Sequence, residues 1–113
     1  MLKKRYRLTK RKQFNYIYRK GRTAGCEILT LVYSFCKMHN IKVGFSASKK
    51  VGGSVVRHRA LRLMREAVKP LLEKMVPNHN YIFIAKETLV GKPLAEIRKN
   101  VVYVLKKAGL LTQ

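Results

Sequence analysis

The chain has 113 residues, the length of one domain, and at 47% hydrophobic it can build a modest single core rather than a disordered basic tail. Twenty-six Lys and Arg stand against five Glu and no Asp, a net charge of +21. Self-repulsion on that scale implies a polyanionic partner, with nucleic acid ahead of an anionic membrane or an acidic protein.

Thr9 is placed to cap a helix running to about Lys20, with Phe14, Ile17 and Tyr18 at helical spacing and Gly21 as a stop. A further short strand falls within residues 22–27. Ile28 to Cys36 alternates, with Leu29, Leu31, Tyr33 and Phe35 one way and Thr30 and Ser34 the other. Lys37 to Asn40 is a turn. Ile41 to Ser48 alternates again, with Gly44 leaving space on the polar side, and the two strands are expected to form a hairpin.

Ser48 to Gly53 is a basic, glycine-rich loop, and Ser54 is the expected cap of an amphipathic helix over Val55–Met75. Pro70 kinks or ends that helix, because it cannot donate a backbone hydrogen bond. After a loop at 77–80, Tyr81 to Ala85 is almost wholly apolar, as in an interior strand covered on both faces. Pro93 can start a last helix with a stripe of Leu94, Ile97, Val101, Val104, Leu105 and Ala108, and Gly109 ends it. The fold class is α+β: a small mixed β-sheet packed with helices, in the order α-β-β-(β)-α-β-α, forming a single domain over 1–113.

The apolar runs are too short to span a membrane, and the basic start of the chain has no apolar stretch behind it. Cys26 and Cys36 make neither a disulfide framework nor a zinc motif and suit small, partly buried positions near a strand. The cytoplasm is the expected compartment.

Protein nucleases commonly gather metals with carboxylates or use paired histidines. Here Glu27, Glu66, Glu73, Glu87 and Glu96 are dispersed and suit surface partners for bases. His39 and His79 fall in expected loops and read as solvated. His58 lies among arginines, where it suits a donor to phosphate better than a general base. No Walker-type loop, GxSxG or metal-ligand spacing is present. If the protein takes part in catalysis, another component supplies the reactive groups.

Lys49, Lys50 and the glycines that follow allow backbone N–H groups to approach an anion at a helix start. Arg59, Arg62 and Arg65 extend a cationic strip whose guanidinium forks match phosphate. Arg57 falls on the apolar arc, where a core helix would not put a charge. Phe14, Tyr18, Tyr33 and Phe35 have two readings. They are core, or Phe14 and Tyr18 face a cleft between the first helix and the sheet, where aromatic faces ringed by cations suit single-stranded RNA.

The sequence resembles the protein component of bacterial ribonuclease P over essentially its full length. The resemblance lies in Arg7-Leu8-Thr9 through Phe14 to Tyr18 and Gly21, in Val43 to Gly52, and in Val56-Arg57-His58-Arg59 through Arg62 to Arg65-Glu66. The family's Arg-Asn-Arg triplet reads Arg57-His58-Arg59 here, and histidine can still donate a hydrogen bond. The resemblance implies a left-handed βαβ crossover, where the general rule gives a right-handed one. It further implies a catalytic RNA that removes the 5′ leader of precursor tRNA with magnesium held mainly by the RNA and none bound by the protein alone. Lys49, Lys50, Arg57, His58, Arg59, Arg62 and Arg65 would then bind the RNA subunit, and Phe14, Tyr18 and Tyr33 the leader. The expected partners are ribonuclease P RNA and precursor tRNA, without membrane or DNA. The competing reading is a ribosomal or other structural RNA-binding protein with no part in cleavage.

Overall fold

The computed structural model describes residues 6–37 and 41–112. Most of the expected turn before the third strand, with His39, lies outside the described residues. The first helix, α1, spans Arg11–Lys20. Its cap is Lys10 rather than Thr9, because the Lys10 N–H donates to Oε1 of Gln13 at 3.4 Å and closes the first turn there. Gly21 ends α1 and donates its N–H to the Ile17 carbonyl at 2.7 Å. Its backbone is extended, so glycine supplies room rather than a left-handed turn. A Cβ there would stand 2.5 Å from the Ile17 oxygen and 2.8 Å from the Tyr33 oxygen.

Four strands follow the order β1-β2-β4-β3 in one sheet. They are β1 (Arg22–Gly25), β2 (Leu29–Phe35), β3 (Ile41–Ala47) and β4 (His79–Ala85). β1 pairs antiparallel with β2, and β2 antiparallel with β4, while β3 and β4 are parallel. The expected hairpin between β2 and β3 therefore does not form, because β4 inserts between them. The cause lies in β4 itself: Tyr81, Ile82 and Phe83 are all fully buried, and only a central position covers a strand on both faces. His79 opens β4 instead of lying solvated in a loop; its ring is half-buried and its Nδ1 lies 2.9 Å from the Pro77 carbonyl oxygen.

The crossover between the parallel strands contains α2 (Ser54–Val68). Its cap is Gly53, one residue before the expected Ser54, and the Gly53 carbonyl accepts the Arg57 N–H at 2.9 Å. The α-helix gives way at Lys69 to a 3-10 segment, Lys69–Lys74, with Pro70 in its first turn. The last helix, α3 (Leu94–Ala108), ends at Gly109 in the left-handed conformation, φ 75°.

Strand alternation divides the core. Leu29, Leu31, Val43, Tyr81, Phe83 and Ala85 face α2 and α3, joining Met64, Val68, Ile97, Val101 and Leu105 in the main cluster. The opposite face carries a small second cluster of Leu8, Ile17, Val32 and Ile82, with Phe14 and Ile84 packed on it.

Candidate nucleic-acid interface

Two surfaces carry the residues singled out from the sequence, and they lie on opposite faces of the sheet. On the α2 side, a 3-10 turn over Lys49–Val51 leaves both lysines exposed while burying Val51. Gly52 follows at φ 151°, and a Cβ there would meet Val56 Cγ1 at 2.9 Å. Glycine is thus required, and it brings the chain into α2 with the helix's free N–H groups directed at the basic loop.

α2 buries Ala60, Met64, Ala67 and Val68 against the sheet and α3. That orientation turns His58, Arg59 and Arg62 to solvent as one strip, as their spacing predicts. Arg57 and Arg65 sit differently, both half-buried at the flank of the helix. The Arg65 guanidinium lies 5.8 Å from the centroid of the Phe45 ring, a cation–π arrangement that steadies a side chain otherwise free to roam. Nε of Arg57 is buried without a hydrogen-bond partner, so the unusual charge on the apolar arc carries an unmet donor. All five glutamates are exposed.

On the other face, α1 crosses the strands. Leu8 donates its N–H to the Val43 carbonyl at 2.9 Å beside β3, and the far end of the helix meets β2 at Gly21. Phe14 lies over Gly44: a Cβ at residue 44 would come within 2.5 Å of Phe14 Cζ. The space that Gly44 leaves on the polar face is therefore taken by the Phe14 ring. Phe14 is half-buried and Tyr18 exposed, with their ring centroids 6.3 Å apart. Phe14 thus combines the two readings, packed on one side and open on the other.

Tyr33 does not join them. It shares the parity of Leu29 and Leu31 along β2, which directs its side chain to the opposite face, where it packs on the main core. The expected grouping of Phe14, Tyr18 and Tyr33 is therefore not brought together: Phe14 and Tyr18 are neighbours on α1, and Tyr33 lies on the opposite face. The register instead supplies residues that the sequence reading left out. Ser46, Ile84 and Thr30 form one cross-strand row beside the Gly44–Ile82–Val32 row under α1, and Lys42, Asn80 and Ser34 form the row on its other side. Lys42 brings a cation to the same sheet face as Phe14. Alternation assigned Lys42 and Ser46 to this polar side, but only the position of β4 makes the rows.

Among the described residues no group of three or more His, Cys, Asp and Glu side chains converges as a metal site. Among the same described residues no helix is long and apolar enough to cross a membrane.

The family model for Ribonuclease P matches residues 2–109. The ribonuclease P protein component of Geobacillus thermodenitrificans is 33% identical over 109 residues, spanning 96% of this chain and 90% of its own. That of Clostridium kluyveri is 37% identical over 108 residues, spanning 93% and 96%. The solved RNase P protein of Staphylococcus aureus superposes with a TM-score of 0.84 at 27% identity, covering 95% of this chain and 98% of its own. The Thermotoga maritima protein, at 19% identity, shares the fold with a TM-score of 0.81 over 89% of this chain and 96% of its own. The family model, the relatives and the superposed structures each extend over most of the chain, and the chain belongs to the ribonuclease P protein family.

Proposed function

We propose that this chain, as the protein subunit of a bacterial ribonuclease P, binds the catalytic RNA with one surface and the 5′ leader of precursor tRNA with the other. Lys49, Lys50, Arg57, His58, Arg59, Arg62 and Arg65 form the contact with the RNA subunit. Arginine forks pair with phosphate oxygens in two parallel bonds, and the N–H groups at the start of α2 add a further anion cradle. The leader runs beside α1, where Phe14 and Tyr18 stack bases and Lys10, Lys12 and Lys42 neutralise phosphates. The whole chain works as one RNA-binding domain in the cytoplasm, where precursor tRNA is made.

The observation that carries this reading is the separation of charge from carboxylates. Twenty-six cations accompany five exposed glutamates, and the described His, Cys and Glu side chains do not converge. Among the described residues the carboxylates and imidazoles stand apart and do not fit a magnesium cage. The ion belongs to the RNA, and the protein positions and neutralises.

Cleavage of precursor tRNA by a cognate ribonuclease P RNA tests the assignment. Adding the protein is expected to lower the magnesium and salt needed for cleavage, and the holoenzyme should bind precursor tRNA more tightly than mature tRNA. Equal affinity for the two tRNAs would remove the leader-binding role and leave a structural RNA-binding protein.

A further inference from the structure

We propose that an apolar cavity beside the basic strip receives an unstacked nucleobase of the RNA bound along α2. The inference rests on the reading of α2 as RNA-facing and adds a subsite to it. The cavity, of ≈ 420 Å³, lies between the first three turns of α2 and the segment 89–93, with Ala60 and Leu63 in its lining. Its volume falls in the range of about 300–1,000 Å³ that holds small ligands.

Two further lining residues, Val55 and Val90, are 82% and 45% exposed. Val55 stands on the solvent side of α2 in the same shallow groove as His58, Arg59 and Arg62. An apolar side chain there has no core to serve, and it connects the cavity to the cationic strip. Arg59 and Lys92 are the charged residues of the cavity lining.

An occupant must therefore present a compact apolar group to the cavity and negative charge to its surroundings. A nucleotide of the RNA does both. Its base enters between the aliphatic walls and stacks on the Arg59 guanidinium plane, while its phosphate meets Arg59 and Lys92. The lining provides no side-chain acceptor, and its two donors, Arg59 and Lys92, are engaged by the ring face and the phosphate. The site therefore holds a base without reading its hydrogen-bonding edge, and base choice follows stacking strength.

The experiment uses the full protein bound to a cognate ribonuclease P RNA. Dissociation constants and dimethyl sulfate reactivity of unpaired bases are compared for the wild type, L63F, which fills the cavity, and V55A/V90A, which removes its exposed walls. At least one unpaired base protected by the wild type should become reactive with both variants. Kd should rise about 5- to 150-fold, the range for one stacked base, with the salt dependence unchanged because no phosphate contact is removed. Should L63F lose its cooperative thermal transition, V55A/V90A, changed only at exposed positions, decides the matter. An unaltered Kd and protection pattern in the folded variants overturns the proposal, and leaves a protein or peptide ligand as the competing occupant. R62A separates the two levels: if it alters neither Kd nor salt slope, the RNA-facing reading of α2 fails first and takes the subsite with it.

Discussion

The two faces of the sheet are held in different ways. On one, α2 buries Ala60, Met64, Ala67 and Val68, and α3 buries Ile97, Val101, Val104 and Leu105. On the other, α1 buries only Ile17, aided by Leu8 and half of Phe14. At about 1.5–3 kcal/mol for each large apolar side chain fully buried, the first face is anchored several times over and the second only once or twice. Local opening follows buried apolar contact, so α1 belongs at the low-stability end of this molecule. Under the proposed function the comparison teaches how the tasks divide: a deep core fixes the cationic strip for the RNA subunit. On the same proposal, a lightly held helix leaves Phe14 and Tyr18 open for the flexible leader.

Truncation at the centre of each cluster breaks or sharpens that division. M64A should produce the largest effect, a global loss of about 2–5 kcal/mol, with all RNA binding declining as the fold melts. I17A removes comparable apolar volume from the smaller cluster. It should instead raise hydrogen exchange in α1 while α2 and α3 stay protected, abolishing the preference for precursor over mature tRNA and preserving affinity for the RNA subunit. If I17A and M64A unfold the chain in the same single transition with the same loss of function, the two faces are one cooperative unit and the division is wrong.

G44A is a gentler probe of the same face. Its new Cβ would stand 2.5 Å from Phe14 Cζ and 2.8 Å from Cε1, so the ring must leave its seat. Overpacking of this kind costs about 1–3 kcal/mol. Loss of a single stacked base would further weaken precursor tRNA binding about 5- to 150-fold. Unchanged precursor affinity, with Phe14 displaced, would mean that the ring serves packing alone.

The sequence made the elements legible and hid their pairing. Alternation along 29–35 and 41–47 places Leu29, Leu31, Ile41 and Val43 on the buried side, because the two-residue period of a strand does not depend on its neighbour. Phe35, expected inward with them, is instead 66% exposed at the strand's end, while Ser34 is buried. The expected hairpin does not form, because β2 and β3, adjacent in the chain, are not adjacent in the sheet. The apolar run at Tyr81–Ala85 already held the correction, since a strand covered on both faces belongs in the middle. The solvent strip of α2 was readable from helical spacing. The place of Tyr33 in the alternation with Leu29 and Leu31 already sets it on the face away from Phe14, and the row of Ser46, Ile84 and Thr30 exists only once β4 stands between β2 and β3. The cavity beside Val55 joins α2 to residues 89–93, a contact with no local signature.

The smallest expected effect lies wholly on the deep face. Tyr81 is fully buried, and its hydroxyl donates to the Val76 carbonyl at 2.5 Å. Burial pushes its pKa well above the ordinary 10.0, since the phenolate would be stripped of water. Below pH 10 the hydroxyl is protonated in both folded and unfolded chains, and its contribution is fully present. As pH rises past 10 the unfolded chain releases the proton while the folded chain keeps it, so the unfolded state gains and stability declines. Y81F should lower the urea midpoint at neutral pH, by about 0.5–1.5 kcal/mol of stability for the missing hydrogen bond. It should also remove this part of the alkaline decline, so that the two proteins converge above pH 10. Curves that stay parallel across that range would show that the hydroxyl ionises as readily inside as out. Exchange in α1 should be unmoved throughout, because Tyr81 faces away from it; a response there would couple the two faces through β4.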